Sequence, residues 1–134
     1  MLKTPIYSLA FVIDDSHFEQ YIATRMIKNI RLAAHVNCFD SPTEALVVLG
    51  SLRIGQWPQV IFIDLQMPGM TGFDFLDQYL QFPGEMRRQS KIVMMSSTLV
   101  NEDLERIKTY PIIEKFLAKP LSETKLGSIF NEIN

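Results

Sequence analysis

Short, uninterrupted apolar runs alternate along the chain with longer stretches in which apolar residues recur every three or four positions. The runs Leu9 to Ile13, Val60 to Ile63, Ile92 to Met95 and Phe116 to Ala118 lack the alternation of a half-solvated sheet and predict buried strands. His35 to Phe39 is weaker, but its Val and Phe place it with them. After the first run, Phe18, Ile22, Met26 and Ile30 step by four, widened by Tyr21 and Ile27, which predicts an amphipathic helix with that stripe inward. Its start carries Ser16 and, three residues on, Glu19, a pair whose side chains can each satisfy an open backbone donor at a helix N-terminus. Ser41-Pro42-Thr43-Glu44 repeats the signal with Pro42 at the first helical position, and Thr71, Asn101 and Ser122 mark three further starts. The order is strand then helix, five times.

Strands separated by such helices need crossover connections, so they lie parallel with helices on both faces of the sheet: a doubly wound α/β fold. A chain of 134 residues is sized for a single domain spanning 1–134, and Phe82-Pro83-Gly84 is its one slack loop. The 47% apolar and 21% charged residues fit a globular chain. Charge narrows the partners: 13 − 15 = −2, with no basic footprint for nucleic acid or an anionic membrane. Cys38 stands alone, which excludes an intrachain disulfide, and its apolar flanks predict a small core residue. The first apolar run ends at two aspartates and is too short for a signal peptide or a membrane span, so the expected location is cytoplasmic.

In an open parallel sheet, ligands bind beyond the carboxyl ends of the strands. Asp14-Asp15, Asp64, Ser96-Ser97-Thr98 and Lys119-Pro120 stand there. Three neighbouring carboxylates repel one another and call for a cation, and oxygen donors without a His or Cys cluster suit Mg²⁺. His17 and His35 lack partners at metal spacing and are expected at a helix start and a strand edge. A divalent ion beside a lysine suits phosphoryl chemistry, with Asp64 as the nucleophile that forms an aspartyl phosphate. Each residue also has a plainer role available. Asp14 and Asp15 suit caps for the helix that follows them, Ser96 sits among other turn-forming hydroxyls, Phe116 suits a core, and Met67, Met70, Met94 and Met95 suit gap-filling.

Taken together, these residues resemble the receiver domain of two-component response regulators, the chemotaxis-type, flavodoxin-like (βα)5 family. The resemblance runs from about Leu9 to Ile133, and Asp64-Leu65-Gln66-Met67-Pro68-Gly69-Met70-Thr71-Gly72 fits the family's D-x-x-M-P-x-M-x-G stretch at every defined position. It implies a five-stranded parallel sheet and a phospho-acceptor at Asp64. It also implies Mg²⁺ held by Asp15, Asp64 and the backbone carbonyl of Gln66, with Asp14 acting mainly through water. Ser96 and Lys119 are implied as partners of the phosphoryl oxygens, Phe116 as an aromatic switch, and Lys119-Pro120 as a cis bond. The implied function is a phosphorelay switch rather than a metabolic enzyme, its chemistry confined to self-phosphorylation and autodephosphorylation. A histidine kinase or histidine phosphotransfer protein supplies the phosphoryl group, and an unidentified downstream protein receives the signal. Phosphorylation is expected to draw Ser96 and Lys119 inward and move the loop after Ser96. The surface near the fourth and fifth helices then changes, its apolar part drawn from Leu104, Ile107, Ile112, Ile113, Leu126 and Ile129.

Two other readings stand beside this one. A receiver-fold adaptor would bind partners without phosphorylation. An aspartate-nucleophile phosphatase of the haloacid dehalogenase type needs a second acid two residues after its nucleophile; here that place holds Gln66, which transfers no protons. Magnesium is expected to quench Trp57 or to shift nearby amide resonances.

Overall fold

A computed structural model describes residues 4–131, so Met1 to Lys3 at one end and the expected limit of the resemblance at Ile133 lie outside the described residues. Its strands are β1 (Tyr7–Ile13), β2 (Ala33–Phe39), β3 (Val60–Asp64), β4 (Lys91–Ser96) and β5 (Ile113–Ala118). The helices among the described residues are α1 (His17–Asn29), α2 (Pro42–Ser51), α3 (Gly72–Tyr79), α4 (Gly84–Arg87), α5 (Asn101–Ile107) and α6 (Glu123–Asn131). All strand pairings are parallel in the order β2-β1-β3-β4-β5, so the chain winds outward one way from β1 and then the other way from β3. The expected five-stranded doubly wound sheet is present. Two short elements are added: a 3-10 turn at Ile54–Gln56 before β3, and the single turn of α4, into which Phe82-Pro83-Gly84 leads rather than forming a slack loop.

Alternate residues along the central strands enter opposite cores, because successive side chains in a strand point to opposite faces. Phe11, Ile13, Ile61, Ile63, Ile92 and Met94 face Ala45 and Leu49 of α2 and Phe73, Leu76 and Tyr79 of α3. Ala10, Val12, Val60, Phe62, Val93 and Met95 face Ala23 and Ile27 of α1 and Leu126, Ile129 and Phe130 of α6. Burial on both faces is why these strands carry unbroken apolar runs. The edge strands differ. Leu117 is the one buried residue of β5, with Phe116 half-buried, so the expectation of a fully buried fifth strand fails at the sheet edge. Cys38 likewise lies exposed on the edge strand β2, near the Thr24 hydroxyl, rather than in a core.

The expected α1 stripe holds at Ile27, which is buried, and at Met26 and Ile30, which pack half-buried against the core, but fails at its N-terminal end. Ala23 and Ile27 are its buried residues, while Phe18 and Tyr21 are 69% and 56% exposed. At about 100° per residue, Phe18 sits about 140° and Tyr21 about 160° around the helix from Ala23. Ala23 takes an inward place in the core beside Ile27, and the arc it occupies leaves Phe18 and Tyr21 facing outward. The helix starts follow their caps, although at α1 and α2 only the serine half of the expected pair forms, the Ser16 amide being taken by Asp14. Ser16 and Ser41 hydroxyls accept from the Glu19 and Glu44 amides at 3.2 Å each, and Thr71 and Asp74 form a reciprocal pair at the start of α3. The fourth start shifts by one residue: Val100 occupies the cap position and Asn101 is the first helical residue.

Candidate functional site

Three strands end on one rim. Asp14 follows β1, Asp64 is the last residue of β3, and Ser96 is the last of β4; they are 1%, 7% and 1% exposed. Asp15 beside them is exposed. The carboxylate oxygens of Asp14, Asp15 and Asp64 include a set that lies within 4.8 Å of one another. Lys119, just beyond β5, reaches into this group: its ammonium donates to Asp14 Oδ2 at 2.7 Å and to Asp64 Oδ2 at 3.1 Å. The Lys119 amide donates to the Ser96 carbonyl at 2.9 Å and so extends the β4–β5 pairing to the rim. The Lys119-Pro120 bond is cis.

Backbone groups hold the remaining carboxylate oxygens. The Ser16 amide donates to Asp14 Oδ1 at 3.0 Å, and the Gln66 amide donates to Asp64 Oδ1 at 3.1 Å. Both acids thus sit at tight turns that point their side chains back over the strand ends. Gly72 allows α3 to come this close. Its amide donates to the Leu65 carbonyl at 2.8 Å, and a Cβ there would lie 2.9 Å from the Asp64 carbonyl oxygen. Gly69, with φ +84°, makes the preceding loop possible.

Burial raises the Asp64 carboxyl above its ordinary pKa, against the downward pull of the Gln66 amide and Lys119. Burial also works against the Lys119 ammonium. Its hydrogen bonds and charge attraction to Asp14 and Asp64 outweigh that, so its pKa lies above the ordinary lysine value. One ammonium beside three carboxylates leaves −3 + 1 = −2 in formal charge. A hard divalent cation with oxygen ligands fits that donor set.

The family profile of the response regulator receiver domain matches residues 10–131. The chain belongs to this family. This receiver is 30% identical over 134 aligned positions to the two-component response regulator ARR6 of Arabidopsis thaliana, spanning 90% of this chain and 66% of that protein. Among solved structures it superposes on a two-component response regulator from Cytophaga hutchinsonii at a TM-score of 0.85 and 25% identity, covering 96% and 97% of the two chains. A response regulator receiver protein from Dyadobacter fermentans gives 0.82 and 30%, covering 93% and 97%.

Other features of the receiver lie where the sequence alone did not put them. The Ser96 hydroxyl is turned toward its own loop: it donates to the Thr98 carbonyl and accepts from the Thr98 amide at 3.1 Å. The Gln66 side chain also donates to that carbonyl, at 3.3 Å, so one loop oxygen gathers two side chains from different strand ends. Gln20 of α1 was not singled out by sequence, yet its amide group donates to the Asp14 carbonyl at 2.7 Å and to Asp40 Oδ1 at 2.8 Å. Its signal was position: one turn after Ser16, it comes back over the end of β1. His17 at the start of α1 and His35 on the edge strand β2 lie where the sequence placed them, and His17 also bonds Asp40 at 2.9 Å. Phe116 is half-buried and packs against the core under α3. Trp57 is misplaced as a reporter of the rim: it precedes β3, and Val60 to Asp64 alone spans about 13 Å of strand. Among the described residues no helix is long and apolar enough to cross a membrane.

Proposed function

We propose that this receiver is a cytoplasmic phospho-acceptor switch in which Asp64 takes a phosphoryl group from a phosphohistidine on a histidine kinase or phosphotransfer protein. The observation that carries this is a buried carboxylate at a strand end whose one oxygen is oriented by the Gln66 amide and whose other shares the Lys119 ammonium with Asp14. A carboxylate oxygen of Asp64 forms the new bond to phosphorus while the bond from phosphorus to the donor nitrogen breaks, and the electron pair stays on that nitrogen. Asp14, Asp15 and Asp64, with the Gln66 carbonyl, are the residues that would hold Mg²⁺. Bound there, it supplies positive charge against the phosphoryl oxygens.

Lys119 then exchanges a carboxylate for a phosphoryl oxygen and keeps its charge paired. Ser96 makes the larger change, because its hydroxyl has to leave the Thr98 carbonyl to donate to the phosphoryl group. That departure loosens the exposed 97–100 loop and gives Phe116 room to turn inward, which alters the surface around α5 and α6. A downstream protein that prefers one arrangement reads the state.

The test is incubation with acetyl phosphate and Mg²⁺ followed by intact mass measurement. A phosphate-sized gain that disappears in Asp64→Ala is expected. No gain in the wild type leaves the non-phosphorylated adaptor, and an undiminished gain in Asp64→Ala removes Asp64 as the acceptor.

A further inference from the structure

The two ends of α5 are held very differently. This helix buries none of its residues, and Ile107 and Asp103 are only half-buried. At its N-terminal end the whole 97–100 loop is exposed, as is Leu104; the loop's side-chain ties to the rim are those of Thr98 with Ser96 and Gln66, and the Val100 amide reaches Asp103 Oδ2 only at 3.5 Å. At its C-terminal end the contacts are dense. The Arg106 guanidinium lies 4.4 Å from the ring centre of Phe73, and the Tyr110 ring stacks on Phe73 at 5.4 Å and 26°. The Tyr110 hydroxyl donates to Asp77 Oδ1 at 2.7 Å. Phe73 is itself buried in the core beneath α3, and Asp77 stands one turn further along the same helix. The turn that follows α5 is tied as well: the Thr109 and Tyr110 amides donate to the Arg106 and Ile107 carbonyls, and the Ile113 amide to Tyr110.

We infer that Phe73, Asp77, Arg106 and Tyr110 form a pivot that pins the C-terminal end of α5 to α3, about which its N-terminal end swings with the Ser96 loop. The swing on modification rests on the proposed phosphorylation of Asp64, whereas the pinning does not. From the pivot to Val100 is about 10 Å of helix, so a rotation of about 15° moves the free end by about 3 Å. A helix anchored along its length would instead move as a block or stay still. The pivot converts a small loop displacement into a directed change on the α5 surface.

Pulsed electron-spin distances test this in the Cys38→Ser chain, labelled at Glu44→Cys on α2 and at either Glu102→Cys or Lys108→Cys. In the unmodified protein the distance distribution to position 102 should be broader than that to position 108. Tyr110→Phe keeps the ring stack and removes the Asp77 bond, and the Arg106→Ala/Tyr110→Phe pair removes more. Both should broaden the 108 distribution, with the pair approaching the width seen at 102, while Asp77→Asn, which keeps an acceptor, should leave it narrow. Equal widths at 102 and 108 in the parent, or a 108 distribution as narrow in the double variant as in the parent, overturns the pivot. With acetyl phosphate and Mg²⁺, position 102, about 7.5 Å of helix from the pivot, should shift by about 2 Å and position 108 stay. Equal shifts at both also overturn it. Absence of any shift together with absence of a mass gain counts against phosphorylation of Asp64, and the widths in unmodified protein then decide the pivot alone.

Discussion

Replacing Lys119 with methionine keeps most of the side-chain stem and removes the charge from a site where it is the cation between two buried carboxylates. In the wild type its side chain is 9% exposed, and those of Asp14 and Asp64 are 2% and 10% exposed. Stripping one partner from a buried ion pair costs about 3–5 kcal/mol, because the other charge stays buried and unpaired. A second route limits the loss: at pH 7, protonating a carboxylate of pKa about 4 costs about 4 kcal/mol. The expected destabilisation of the metal-free protein is therefore about 3–4 kcal/mol. At about 2.1 cal/mol/K per residue, 134 residues give an unfolding entropy near 0.28 kcal/mol/K, and about 3 kcal/mol lowers Tm by roughly 11 °C. The pH dependence has a definite sign. Asp64 already titrates above its unfolded value because of burial, and loss of Lys119 raises it further. A group with a raised folded pKa contributes stability that is full below its unfolded pKa, about 3.9, and is lost as pH rises through the folded value. The gap between Lys119→Met and wild type should thus be widest at neutral pH and narrow as the pH falls toward 5. Thermal unfolding in EDTA, followed by circular dichroism and by the buried Trp57, measures it. A drop in Tm below about 3 °C at neutral pH, or a gap unchanged on acidification, refutes Lys119 as the charge that holds this pocket together.

Gly72→Ala should cost about 1–3 kcal/mol, despite alanine's better helix propensity, because the new methyl meets the Asp64 carbonyl oxygen at 2.9 Å; urea unfolding that shows equal or higher stability rejects this. Magnesium should shift the amide resonances of Asp14 to Ser16 and Asp64 to Met67 while Trp57 emission stays constant, and a Trp57 response without those shifts counts against the rim as the metal site. Burial pushes the Tyr79 phenol up, opposed by its bonds to Ser90 and Trp57. Its stabilising effect is complete below the unfolded tyrosine pKa of about 10 and lost as pH rises above it. Phenolate absorbance should therefore show Tyr79 ionising together with loss of the circular dichroism signal, and ionisation in a fully folded protein would contradict its burial.

The sheet was legible because burial on both faces leaves a plain mark: β1, β3 and β4 each contribute to two cores, so no polar residue interrupts the runs Leu9 to Ile13, Val60 to Ile63 and Ile92 to Met95. The rim was legible for a related reason. Asp14, Asp64, Ser96 and Lys119 each stand at or just beyond a strand end, and parallel strands bring those ends together. Orientation was harder. Phe18, Ile22, Met26 and Ile30 make a convincing stripe, and Met26 and Ile30 do pack against the core, yet buried Ala23 lies on the inward arc and Phe18 faces out, and helical spacing alone gives no weight to an alanine. Cys38 has apolar neighbours but lies on an edge strand, and strand order is a property of the whole chain. The Ser96 hydroxyl bonds forward within its own loop, a local competition with the site that residue type does not reveal.

The two cores are separate compartments, with the sheet as the wall between them. A cavity cut at Ile27 on one side and another at Leu49 on the other should act nearly independently. Helices on the two sides are therefore free to diverge without repacking each other. The rim is where that independence ends. Asp64 closes a strand that feeds both cores and touches both the turn before α3 and the lysine before α6, so a charge added there is felt in both compartments at once.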